Sequence, residues 1–136
     1  MTRRRPDIQT FSPRWPDFRL LPPQEMRLTY DRPSDTLFVD FSGEARAAAS
    51  VPLDRGDRDY LFLRVDPETE AVVGMQIEHF LSYAIFRHPE LRAALDVAQL
   101  GGIDRGELDG LIPATMRTAR ANTRDTIIED LIRLCA

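Results

Sequence analysis

Between Met26 and Ile77 the apolar residues fall on alternate positions, and beyond Phe80 they recur three or four apart. That switch of period constrains the fold more than any other feature of the chain. A repeat of two puts every second side chain on one face of a strand, whereas a repeat near 3.6 makes a stripe along a helix. The order, strands first and helices after, predicts an α+β fold: a four-stranded antiparallel meander sheet followed by C-terminal helices packed on one face.

Met26, Leu28 and Tyr30 alternate with Arg27, Thr29 and Asp31. The run Asp31-Arg32-Pro33-Ser34-Asp35 is rich in turn formers, and Leu37, Val39 and Phe41 then resume the alternation. This is the pattern of a hairpin with one apolar face. A second pair follows, with Leu61, Leu63 and Val65 before the turn Asp66-Pro67-Glu68-Thr69, and Val73, Met75 and Ile77 after it. Residues 45–51 read as a short edge strand, where Pro52 is tolerated. The opposite face carries Phe38, Tyr60, Phe62 and Val72 among polar groups, which is too apolar for plain solvent surface.

Leu81, Ala84, Ile85 and His88 form the first helical stripe, and Leu91, Leu95 and Ala98 continue it after Pro89. Gly101-Gly102 stops that stripe. Asp104 with Glu107 three residues on predicts a capping box. The last helix is expected from about Pro113, with Ile127, Ile128, Leu131, Ile132 and Cys135 along one side. Residues 1–24 read as a proline-rich basic arm. Prolines 6, 13, 16, 22 and 23 bar it from helix and sheet interiors, while Trp15 and Phe18 make it too apolar for a free tail. The chain thus divides into the arm (1–24), a sheet with a helix pair (25–98), and a connector with an amphipathic helix (99–136), all within a single domain.

Charge is unevenly placed. The arm holds five arginines against two aspartates, net +3, which leaves −7 on the rest of a 136-residue chain whose net charge is −4. An acidic body argues against nucleic acid as a partner, since phosphate binding needs clustered positive charge. All 18 basic residues are arginine, which excludes lysine Schiff-base chemistry. No apolar run reaches the roughly 20 residues of a membrane span, and prolines interrupt the region where a signal peptide needs an apolar core. The protein is therefore expected in the cytoplasm. Cys135 is the only cysteine, so no intrachain disulfide and no second thiolate for a metal are available.

Residue clusters with chemical capacity are few. His79 and His88 stand nine apart near Glu78 and Glu90, but a strand-to-helix junction separates them and closed zinc sites need three or four ligands. The run Asp54-Arg55-Gly56-Asp57-Arg58-Asp59 has carboxylates that its own arginines neutralise. Its Arg55-Gly56-Asp57 tripeptide has no secretory context. Asp31 and Asp35 have the residue type of an acid/base pair, although turns favour aspartate for local hydrogen bonds. No nucleophile elbow or phosphate loop occurs. Arg3-Arg4-Arg5 reads as a solvated terminus. No catalytic residue, cofactor or metal is expected.

The segments Tyr30-Asp31, Asp35, Leu37-Phe38-Val39, then Asp66 and Val72-Val73-Gly74-Met75-Gln76-Ile77, together resemble the bacterial domain of unknown function (DUF) 2283 family over roughly residues 26–80. Glu70 departs from the resemblance, standing where that family's turn carries glycine, as do Phe38 for Tyr and Met75-Gln76 for Ile-Glu. The resemblance implies the same sheet and no activity. Through the small toxin-like genes beside some members, it also implies an antitoxin-like role.

The expectation is a bacterial, non-enzymatic, self-associating interaction domain, most simply a homodimer. Its expected contact residues are Trp15, Phe18, Phe38, Phe62, Ile127, Ile128, Leu131 and Ile132. One alternative is an antitoxin-like regulator that binds a protein toxin or DNA, the acidic body favouring a basic protein. Another is a small hydrolase or metal enzyme built from loop carboxylates.

Overall fold

A computed structural model describes residues 15–16, 25–41, 48–53, 59–114 and 124–135, apart from the side chains at 124–126, 128 and 135. Six strands form one mixed sheet: β1 (Arg27–Asp31), β2 (Thr36–Asp40), β3 (Ala49–Pro52), β4 (Leu61–Val65), β5 (Val72–Ile77) and β6 (Gln99–Gly101). A π-helical turn, Phe80–Ala84, runs into an α-helical turn, Ile85–Arg87, and together these make α1. A 3-10 turn, Pro89–Ala93, leads likewise into Ala94–Val97 to make α2. Helices α3 (Arg105–Leu111) and α4 (Arg124–Cys135) follow.

The α+β class is as the period switch implied, but the sheet is not a four-stranded meander. Its order is β3-β4-β5-β2-β1-β6. The hairpins β1-β2 and β4-β5 join through β2 and β5, so β2 does not pair with its chain neighbour β3. The reason lies in the inward rows. Docking β5 on β2 sets Ile77 beside Leu37 and Met75 beside Val39. Each row then runs unbroken, as Leu28, Val39, Met75, Leu63 and Val51 do. The short β3, with Pro52 lacking a donor, is left at the edge. β6 closes the other edge, parallel to β1, through Gln99, Leu100 and Gly101. Three residues are too few to show a period, so this strand is invisible to pattern reading.

The helices cover the inward face. Phe80, Ile85, Leu95, Leu108, Ile112 and Leu131 are fully buried in one cluster with Leu28, Leu37, Leu63 and Ile77. Two assignments to the opposite face are corrected. A bulge beside Val65 brings it opposite Val72 instead of Val73, so Val72 enters the core and Val73 is buried outside that cluster. Tyr60, one residue before β4, is 2% exposed and belongs to the core, its ring edge-on to Tyr83 at 5.2 Å. The predicted capping box is present: the Glu107 amide donates to Asp104 Oδ1 at 2.8 Å, and the Asp104 amide donates back to Glu107 Oε1 at 3.3 Å.

Candidate functional site

The two aspartates of the first turn are engaged in building it. Asp31 Oδ2 accepts the Ser34 hydroxyl at 2.6 Å and the Ser34 amide at 3.2 Å. Asp35, at a left-handed φ of 51°, reaches across to α1. Its Oδ1 accepts the Tyr30 hydroxyl at 2.7 Å and the Leu81 amide at 2.8 Å. Its Oδ2 accepts the Ser82 hydroxyl at 2.7 Å and the Ser82 amide at 3.1 Å. The Asp35 carbonyl takes the Phe80 amide at 2.9 Å. The first turn of a helix leaves its amides without partners, and His79, the residue before α1, caps none of them with its side chain. Asp35 supplies that cap from the β1-β2 turn. Burial alone would raise its carboxyl pKa, but the hydrogen bonds from Tyr30, Leu81 and Ser82 outweigh it and hold the group below 3.8. Burial, followed by the Asp35 bond and charge, pushes the Tyr30 phenol well above its ordinary range. A carboxylate with four donors is a structural staple and has no lone pair set aside for proton transfer.

The histidines part company. His79 is exposed at the start of α1, whereas His88 Nε2 meets the Tyr60 hydroxyl at 2.7 Å. Among the described residues no group of three His, Cys, Asp or Glu side chains is placed to hold a metal. The polar run 54–58 and the arginines at 3–5 lie outside the described residues. Among the described residues, two open clefts lie on the helical surface. One is lined by Arg92, Asp96, Arg105 and Asp109, the other by His88, Glu90, Asp130, Arg133 and Leu134. Their aspartates sit in local ion pairs, Arg92 to Asp96 at 2.8 Å and Arg133 to Asp130 at 3.3 Å.

The outward sheet face is built differently. Cross-strand register lays its residues in two adjacent rows. One runs Arg27, Asp40, Gly74, Arg64, Ser50 over β1, β2, β5, β4 and β3. The next runs Thr29, Phe38, Gln76, Phe62, Pro52 over the same strands. A depression of about 260 Å³ lies between Arg27, Thr29, Phe38, Asp40 and Arg64. A Cβ at Gly74 would run into the Val39 carbonyl oxygen, so glycine alone lets β2 and β5 pair at this point. Asp40 is 7% exposed. Burial raises its carboxyl pKa, and the Arg64 and Arg27 guanidiniums offset only part of that rise. The Arg64 guanidinium lies 5.6 Å from the Phe38 ring centre, and Arg27 Nε is buried with no hydrogen-bond partner among the described residues. Ser50 donates to Gln76 Oε1 at 3.1 Å, and Gln76 Nε2 donates to Glu78 at 2.8 Å.

The expected contact residues divide between the two faces. Phe38 and Phe62 are half-buried in one row of the outward face. Trp15, Ile127, Leu131 and Ile132 pack on the chain's own core, Leu131 with no exposure at all. Phe18 and the Ile128 side chain lie outside the described residues. The Arg27–Asp40–Arg64 row was missed in the sequence. Its one signal was charge at the outward positions of three separate strands, and that has meaning only once register is known. Comparison with protein-family models, curated proteins and solved structures finds no match to this chain. No helix among the described residues is long and apolar enough to cross a membrane.

Proposed function

We propose that this chain is a non-enzymatic interaction domain of the bacterial cytoplasm that acts by self-association, and that the outward sheet face is its contact surface. The observation that carries the reading is the row Phe38-Gln76-Phe62, two aromatic rings on the face turned away from the core cluster. Aromatic and arginine side chains are the residue types on which interfaces most depend. Arg27 and Arg64 border the same row. The resemblance to DUF 2283 over residues 26–80 belongs to this reading and brings no activity with it. Light scattering on the intact protein at micromolar concentration tests it. A dimer mass that falls to monomer in Phe38→Asp, with the circular dichroism spectrum retained, is the expected result. A monomer mass for the unaltered protein would overturn the reading.

A net charge of −7 outside the arm favours one further role, pairing with a basic protein in the manner of an antitoxin. Its test is co-purification with the product of the adjoining gene, expressed from the same operon.

A further inference from the structure

We infer that two copies stack their outward sheet faces about a twofold axis that lies along β5. The inference rests on the self-association proposed above and adds the geometry and the residue pairs. Two sheets that face one another through a twofold axis must have that axis in the plane between them. If it runs along the strands, the strand order reverses across the interface while each cross-strand row stays opposite itself. β5 is the middle of the five strands that build both rows. With the axis on β5, β2 faces the partner's β4 and β1 faces the partner's β3.

The rows are complementary under that operation. Asp40 comes opposite Arg64 of the partner subunit, and Arg64 opposite Asp40 of the partner subunit, so the pair forms twice. Gly74 faces its own copy. Arg27 comes opposite Ser50 of the partner subunit, whose hydroxyl oxygen can accept from the guanidinium. In the next row Phe38 meets Phe62 of the partner subunit twice, and Gln76 meets itself. An axis across the strands would do the opposite: through the polar row, it sets Asp40 on Asp40 and both arginines on themselves. Charge therefore selects the axis along β5, and aligned stacking at about 10 Å is the ordinary way for two sheets to pack.

The test uses chains in which Cys135 is replaced by Ser, so that each introduced thiol is the only one. Gln76→Cys is expected to cross-link to itself with a short bis-maleimide. Phe38→Cys and Phe62→Cys are expected to cross-link in a mixture and to lose that product when either is treated alone. Arg64→Asp is expected to weaken its own dimer roughly 30-fold or more, because the two pairs become like charges. Mixing it with Asp40→Arg restores a dimer through the exchanged charges. A dimer of the intact protein that none of these cysteines captures would overturn the geometry and leave self-association standing. A monomer would overturn both.

Discussion

Tyr30 on β1 donates its hydroxyl to Asp35 at 2.7 Å, and the same carboxylate holds the first amides of α1, 46 and 47 residues further along the chain. One side chain thus fixes both the hairpin and the angle at which the helices leave the sheet. Asp35→Ala removes a helix cap and leaves the buried phenol without its acceptor. The expected cost is about 3 kcal/mol in urea denaturation. Tyr30→Phe should cost about 1 kcal/mol, and the double variant less than the two together, since both break one bond.

The pH dependence of stability should carry two opposite contributions. The Asp35 carboxyl lies below 3.8 in the folded chain, so the unfolded chain takes up that proton first as pH falls. Its contribution is complete above 3.8 and is lost as pH drops through the lower folded value. The Asp40 carboxyl is raised, so the folded chain holds that proton at pH values where the unfolded chain has released it. Stability then declines as pH rises from 3.8 through the folded value. Urea midpoints from pH 2 to 7 should show Asp35→Asn losing the first effect and Asp40→Asn losing the second.

Gly74→Ala should separate β2 from β5, because the atom in the way is the Val39 backbone carbonyl, which cannot rotate aside. A loss of at least about 2 kcal/mol is expected, measured by thermal unfolding.

Glu70 follows the Asp66 turn at a φ of 63°, with its amide bonded to the Asp66 carbonyl at 2.8 Å. That left-handed conformation penalises any side chain and favours glycine. Glu70→Gly should stabilise the protein by about 0.5–1 kcal/mol. A lower melting temperature would refute the assignment.

Leu63 sits between Val51 and Met75 in an inward row and is 4% exposed. Leu63→Ala should cost about 2–5 kcal/mol, read from the same urea curves.

The inward face was readable because alternation reports it directly: Leu28, Leu37, Val39, Leu63 and Ile77 all lie where their period put them. Strand order was not readable, since β2 pairs equally well by pattern with β3 or β5 and only row continuity decides. Tyr60 escaped because it lies just outside β4, where alternation no longer governs direction. Val72 escaped because a bulge leaves no mark in composition. Asp35 was legible as a turn former, but its grip on α1 depends on a distant segment. The outward row needed Arg27, Asp40 and Arg64 to be brought together from three strands, and each alone is an ordinary surface charge.

The parallel edge strand bears on how the chain assembles in time. Each hairpin is local and can close within microseconds, but β6 meets β1 through three pairs, Thr29 with Gln99, Tyr30 with Leu100 and Asp31 with Gly101, each about seventy residues apart. Loop closure over that span must be met before three short pairings return anything, so this edge forms late. Until then β1 presents an unpaired rim, and a nascent or heat-stressed chain is exposed there to strand addition by a neighbour.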